Sequence, residues 1–169
     1  MRRLTGVLAL AVAMSLAFEA APVGAADPPE GTLDPKTKSV EWAGPAIVAA
    51  VNPTNNVAEP GECLPAVVSC DEFTLTVNVP SSLYLPTGGV TIAITWGTAQ
   101  NDYDLYVLNE AGEVVGSSAT SAPTEQVVLP RAAGTYTVQV LDFAVVADQY
   151  QGTATLSGVK KAKPKKKAR

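Results

Sequence analysis

Apolar and polar residues alternate along the middle of this chain with hardly a fault. Residues Asp102 to Val107 read Asp-Tyr-Asp-Leu-Tyr-Val, Gly112 follows as a turn residue, and a second alternating stretch runs from Gly134 to Leu141. A period of two residues is typical of a β-strand with one buried face, because successive side chains of a strand point to opposite faces. The pattern therefore predicts antiparallel β-structure in place of helices.

Further stretches of the same kind flank this region. They are Phe73 to Val79, Val90 to Trp96, Val127 to Leu129 and Tyr150 to Leu156, with Val114-Val115 as a return strand and an apolar segment, Val40 to Val51, that Gly44-Pro45 interrupts. About seven or eight short strands separated by turn residues predict an all-β, jelly-roll-like antiparallel β-sandwich. Leu75, Ile94 and Val138 are then expected to face its interior.

The first 26 residues have the order of a secretory signal peptide. Arg2 and Arg3 precede an apolar run from Leu4 to Phe18, and small residues follow up to Ala26. The run is shorter than the roughly 20 residues that span a bilayer. We therefore predict a signal peptide over residues 1–26, no transmembrane segment in the mature chain, and a secreted or cell-surface location.

Charge divides the remaining chain into unequal parts. Between Asp27 and Val159 there are fifteen acidic and three basic residues, which gives about −12, whereas 160–169 holds seven basic residues. We expect a flexible leader over 27–39, one domain over 40–159, and a disordered Lys-rich tail over 160–169. The protein is expected to be a monomer.

Two cysteines, Cys63 and Cys70, are the only ones in the chain. Export favours their oxidation, so we predict a disulfide, which would stabilise the fold by about 2.5 kcal/mol through loop closure. A zinc site is the alternative, but the chain contains no histidine to complete it.

Asp102 and Asp104 are the candidate metal ligands. Residues two apart on a strand project to the same face, so the two carboxylates can converge on one cation. Calcium takes six to eight oxygen ligands. Further donors would have to complete the shell, either backbone carbonyls and water or three nearby polar residues, Asn101, Glu125 and Asp142.

Two other interpretations of this acidic pair are open. The aspartates can instead cap the turn after Trp96 and prevent edge-to-edge pairing of strands. Glycosidase-like catalysis is disfavoured, because two carboxyls on one polar strand face rarely have well-separated pKa values. A serine or cysteine nucleophile would lack a histidine base, so we predict no enzyme. Tyr106 lies on the Asp face and is the candidate binding residue.

The residues that follow Cys70 resemble the bacterial pre-peptidase C-terminal domain, a jelly-roll-like β-sandwich of secreted proteins. The resemblance extends to Gly158 and rests on Trp96, Asp102 to Val107, Gly112, Glu125, Gly134 to Val138, and Tyr150 to Gly152. It implies a non-catalytic module that usually accompanies secreted hydrolases. In some relatives such a module binds calcium or an extracellular polymer.

The tail has the charge density of a polyanion-binding segment. Its lysines are Lys160, Lys161, Lys163, Lys165, Lys166 and Lys167. An anionic envelope polymer, or another extracellular glycan or protein, is the expected partner, without specific nucleic-acid recognition. The alternative is a solvated tail that aids solubility. The sequence thus predicts a secreted binding or adhesion module, or alternatively an accessory domain for a separately encoded hydrolase.

Overall fold

The computed structural model describes residues 25–51, 63 and 69–160. Within these ranges the chain forms ten β-strands and one 3-10 turn, Ser81–Leu83. The strands are β1 (Glu30–Leu33), β2 (Ser39–Ala43), β3 (Ile47–Val51), β4 (Cys70–Val77), β5 (Tyr84–Thr95), β6 (Asp102–Asn109), β7 (Val114–Ser118), β8 (Thr124–Pro130), β9 (Gly134–Asp148) and β10 (Gln151–Val159). Most of the predicted signal peptide and all but the first residue of the tail lie outside the described residues.

The strands form two packed sheets. The six-stranded sheet has the order β1-β4-β9-β6-β7, with β3 also pairing with the far end of β9, and the four-stranded sheet has the order β2-β10-β5-β8. Nearly all the pairs are antiparallel, and β1 runs parallel to β4. The predicted all-β sandwich is confirmed. Its strands outnumber the expected seven or eight, since β1 was not anticipated and the segment from Val40 to Val51 supplies two strands.

The core fills the space between the sheets with alternate side chains from both. Leu75, Ile94 and Val138 are fully buried, as predicted. Trp42 of the four-stranded sheet stacks on Phe73 of the six-stranded sheet with ring centroids 4.0 Å apart. Burying each such large apolar side chain contributes about 1.5–3 kcal/mol, so the interior face of each strand stabilises the sandwich.

The expected leader over 27–39 contains ordered structure instead of a flexible arm. β1 pairs with β4 along its whole length, and Leu33 is fully buried. The apolar Leu33 can reach the core because Gly31 lets β1 approach Phe73 and Val40 closely. The sequence did not indicate this strand, because the segment is polar and contains proline. Only one side chain of the strand enters the core, so no apolar period is visible.

Gly44-Pro45 acts as a break between sheets. β2 ends at Ala43 and joins the four-stranded sheet, whereas β3 begins at Ile47 and pairs with β9 of the other sheet. Proline has no N–H to donate to a sheet ladder, so a strand cannot continue through it undisturbed. The predicted interruption is therefore a crossing from one layer to the other.

Charged side chains separate toward the two ends of the sandwich. The end that we call the acidic end holds Asp71, Asp102, Asp104, Asp142 and Asp148, where β4 and β6 begin and β9 finishes. The opposite end, called the basic end, holds Lys36, Lys38, Arg131 and Lys160, which are all the lysine and arginine residues of the described ranges. Asp34, Glu110 and Glu113 also lie there.

Backbone hydrogen bonds fix the basic end as one structural unit. The N–H of Arg131 donates to Gly88, that of Leu156 to Lys38, and that of Lys160 to Leu83, at 2.8–3.0 Å. These bonds tie the β8–β9 turn to β5, the start of β2 to β10, and the end of β10 to the 3-10 turn.

No helix in the described ranges is long and apolar enough to span a bilayer.

Candidate functional site

The predicted acidic pair lies at the mouth of a small cavity. Asp102 and Asp104 are half-buried on the outer face of β6, and both line a cavity of about 290 Å³. A β-bulge between β6 and β9 lets Phe143 line the same cavity, which the 119–121 loop closes from the other side. Both carboxylates thus lie on one face of β6, as residues two apart on a strand should, and their role as calcium ligands stays a prediction.

Burial governs the protonation of this pair. Desolvation raises the pKa of Asp104 to about 6, with further contributions from Asp102 and Glu125. Desolvation also raises the pKa of Asp102, aided by Glu125. Asp102 Oδ1 is buried and has no hydrogen-bond partner among the described residues. One carboxylate oxygen at the cavity is therefore available for a ligand.

Two of the three residues proposed to complete a calcium shell face elsewhere. Asn101 holds the acidic end together, because its amide donates to Asp148 at 2.9 Å and accepts from the N–H of Val146. Asp142 lies on the inner face of the sheet, since Leu141 is the residue opposite Asp104 in the register. Neither residue can join Asp102 and Asp104 at a cation.

Glu125 is fully buried between the two sheets and has other partners. Its carboxylate accepts hydrogen bonds from the Ser118 hydroxyl and from both the N–H and the hydroxyl of Thr120. These bonds join β7 to β8 and fix the loop over the acidic cavity. Among the described residues, no group of three or more His, Cys, Asp or Glu side chains is arranged to hold a metal.

Tyr106 shares the outer face of β6 with the two aspartates but does not line their cavity. It packs against Leu141 and the disulfide that joins Cys63 to Cys70, whose Cα atoms are 5.8 Å apart. The predicted disulfide is confirmed. Tyr106 therefore contributes to a small apolar cluster on the outer face, and its binding role stays a prediction.

A second group of carboxyls, inside the sandwich, was not anticipated. Asp71 is 2% exposed, and its Oδ2 accepts a hydrogen bond from the Tyr150 hydroxyl at 2.7 Å. The Trp42 indole N–H donates in turn to the Tyr150 oxygen at 3.3 Å. Burial raises the pKa of Asp71 to about 7, although the bond from Tyr150 opposes this shift.

Asp142 and Tyr103 complete this inner group. Asp142 is 1% exposed, accepts a hydrogen bond from the Ser69 hydroxyl at 2.6 Å, and has its pKa raised by burial to about 6. Tyr103 is fully buried, and its hydroxyl has no partner among the described residues. Burial, followed by the nearby Asp142 and Asp148, raises the pKa of Tyr103.

Strand parity was the signal that could have revealed the inner carboxyls. Asp71 has the same parity as Phe73 and Leu75 in β4, and Asp142 has the same parity as Val138 and Val140 in β9. Extending the buried face by one more position in each strand places both carboxyls on the inner face of the sheet.

The basic end contains the larger cavity, of about 500 Å³. Its lining residues are Asp34, Pro35, Lys36, Lys38, Asn78, Val159 and Lys160. Three of the four described cations thus line one cavity. Lys160 is the only predicted tail residue that the structure describes, and it lies at this cavity.

A tight turn presents two of these lysines. Asp34 Oδ1 accepts the backbone N–H groups of Lys36 and Thr37 at 2.6 and 2.7 Å. These hydrogen bonds, that from Thr37 first, lower the pKa of Asp34. The turn is tied to the sheet because the N–H of Asn78 donates to Leu33 at 2.8 Å. The cavity therefore has a fixed backbone frame with lysine side chains on its rim, where Lys160 Nζ donates a hydrogen bond to the Ser82 carbonyl at 3.4 Å.

Comparison with known proteins identifies neither a family nor a function for this chain. No protein-family model matches the chain, and no curated protein matches it. Among solved structures, the chain is similar to Aeromonas hydrophila PliG, a periplasmic lysozyme inhibitor of g-type lysozyme, with 14% identity and a TM-score of 0.40 over 76% of this chain and 96% of that one. A match at this level carries no inference about function. The resemblance to the pre-peptidase C-terminal domain stays a prediction.

Proposed function

We propose that this chain is an exported, non-catalytic binding domain whose basic end attaches it to an anionic polymer of the cell envelope. One observation carries the proposal: every lysine and arginine of the described ranges lies at one end of the sandwich. The resemblance of the domain to non-catalytic modules of secreted proteins agrees with such a role.

The distance between the two ends lets them act separately. β6 alone has eight residues, which corresponds to about 27 Å at the usual rise of a strand. Electrostatic interactions in physiological salt are screened over about 8 Å. The acidic end therefore does not cancel the attraction of the basic end for an anion, while its own repulsion favours approach from the basic side.

The sequence after Lys160 increases this attraction. Residues 161–169 carry six further positive charges. Each lysine near an anionic surface contributes about 1 kcal/mol at low salt. Lys160, which precedes them, lies at the same end of the sandwich as Lys36 and Lys38.

The acidic pair supports the non-catalytic part of the proposal. Catalysis by two carboxyls needs environments that separate their pKa values. Asp102 and Asp104 line one cavity, and desolvation raises the pKa of both. The two carboxyls share one strand face and one cavity, which are not the two contrasting environments that such catalysis needs.

Retention on isolated cell envelopes tests the proposed function. We expect the protein to be retained at low salt and released as salt rises. A variant in which the six cations of 161–169 are replaced by Gln should be released at lower salt, whereas Glu110→Gln and Glu113→Gln should not weaken retention. Retention that is indifferent to salt and to the tail would contradict the proposal.

We also propose that calcium stabilises the acidic end, because a buried, unpartnered oxygen of Asp102 lies beside Asp104 in one cavity. These residues would supply two carboxylates, and backbone carbonyls and water would complete the shell. Millimolar calcium should raise the melting temperature of the protein and a chelator should lower it. The Asp104→Asn variant should lose this response, and an unchanged melting temperature would exclude the site.

A further inference from the structure

We infer that the cavity at the basic end binds a phosphate ester of a small polyol, as one repeating unit of a polyol-phosphate polymer. The inference rests on the proposed function and specifies the chemical group that the domain recognises. It concerns the cavity lined by Lys36, Lys38 and Lys160, as distinct from the tail that follows it.

The charge of the cavity favours an anion. Three ammonium groups and the carboxylate of Asp34 give its lining a net charge of +2. The Asp34 carboxylate is turned toward the backbone N–H groups of its own turn. The charge of Lys36 helps to lower the pKa of Asp34. Lys36 and Lys38 are both exposed and both line the cavity, where a ligand can meet them.

The arrangement of the cations suits phosphate. Arginine offers a planar fork that matches carboxylate and phosphate alike, whereas lysine acts as a compact point charge and is a common phosphate ligand. The cavity is lined by lysines, and Arg131 lies at the same end but outside the lining. A tetrahedral group with several charged oxygens can meet three separate ammonium groups, which a planar carboxylate does less well.

The remaining lining residues favour a polyol over a nucleotide. Bases bind proteins largely by stacking on aromatic rings, which contributes about 1–3 kcal/mol per base. The cavity lining contains no aromatic side chain; Pro35 and Val159 supply aliphatic surface, and Asn78 supplies an amide. Its volume of about 500 Å³ is typical of small-ligand sites. It suits one phosphate with a short hydroxylated carbon chain.

The backbone around the cavity is organised before a ligand arrives. The carbonyl of Lys38 accepts from Leu156, and the N–H of Lys160 donates to Leu83. Lys38 and Lys160 therefore start from fixed backbone positions, directly before β2 and directly after β10. Only their side chains must become ordered on binding, which limits the entropic cost.

Titration of the full chain with a short poly(glycerol phosphate) of defined length, at low salt, tests the inference. The double variant Lys36→Gln/Lys38→Gln should bind about 30-fold more weakly, as two lysines at an anionic ligand imply. Arg131→Gln is the matched control: it removes one charge at the same end but outside the cavity, and should weaken binding less than about threefold. Melting curves should show that all variants remain folded.

Competing ligands test which chemical group the cavity recognises. Weaker binding of polyglutamate of equal charge, and of single-stranded DNA, supports phosphate-polyol recognition, whereas equal affinity for either overturns it. Binding to phosphatidylglycerol vesicles without binding to the soluble polymer would overturn the polymer as the ligand. If replacing the tail cations abolishes envelope retention while Lys36→Gln/Lys38→Gln changes nothing, the cavity proposal fails and the proposed function stands.

Discussion

The acidic and basic ends of this sandwich use charge in opposite ways. At the acidic end, Asp71 and Asp142 are almost completely buried beside aromatic rings and hydroxyls. At the basic end, Lys36, Lys38 and Lys160 are exposed around a cavity. Buried carboxyls without a neighbouring cation affect folding, because burial favours their neutral form. Exposed ammonium groups affect binding and contribute little to the fold. We therefore expect mutations at the acidic end to change stability and mutations at the basic end to change affinity.

The largest effect is expected at Tyr150, whose ring contacts Tyr103 edge to face at 5.6 Å and whose hydroxyl bonds to Asp71. Tyr150→Ala should reduce the free energy of unfolding by about 3–5 kcal/mol. Tyr150→Phe keeps the ring and should cost about 1–3 kcal/mol, because it leaves an oxygen of Asp71 without its donor. Chemical denaturation measures both. A loss in Tyr150→Ala no larger than that in Tyr150→Phe would show that the ring does not support the acidic end.

The pH dependence of stability should be the next largest effect. The unfolded chain releases the protons of Asp71 and Asp142 near the ordinary pKa of 3.8, whereas the folded chain holds them up to about 7 and about 6. The folded state therefore binds more protons between these values, and stability falls as pH rises from about 4 to 7. Asp34 and Asp148, whose pKa values are lowered, act in the opposite sense at lower pH.

The Asp71→Asn variant isolates the contribution of Asp71 to the pH dependence of stability. The variant should match the wild type near pH 4 and exceed its stability at pH 8 by roughly 1–3 kcal/mol, because an amide does not ionise. Glu41→Gln, at an exposed position of β2, is the control and should leave the pH profile unchanged. Thermal melting from pH 4 to pH 8 provides the measurement. A wild-type melting temperature that rises over this range would contradict the assignment.

The smallest effect on stability is expected at the basic end. Lys36→Gln and Lys38→Gln should change the free energy of unfolding by less than about 0.5 kcal/mol, because both side chains are exposed. The same variants should clearly weaken polymer binding. A substantial loss of stability in either one would remove the contrast between the two ends.

Strand parity made most of the fold predictable. The faces of β4, β5 and β9 follow from alternate apolar residues, and Leu75, Ile94 and Val138 face inward accordingly. β1 could not be found in this way, since one buried residue in four gives no period. Its position depends on contact with β4, which is far from it in the sequence.

The two ends were predictable to different degrees. The sequence places Asp102 and Asp104 on one face because they are two residues apart on a strand. It cannot place Lys36 and Lys160 at one cavity, since that arrangement requires the β1–β2 turn and the end of β10 to meet after both sheets have formed. The sequence thus predicts sites within one strand, whereas sites built from distant turns need the tertiary structure.

The anchoring of Lys160 sets how far the tail can act. Its N–H is held by Leu83, so the nine following residues begin at the rim of the cavity and, fully extended, reach at most about 30 Å. If the cavity and the tail both bind as proposed, two weak contacts would combine into avid attachment. Retention would then depend on polymer length as well as on salt.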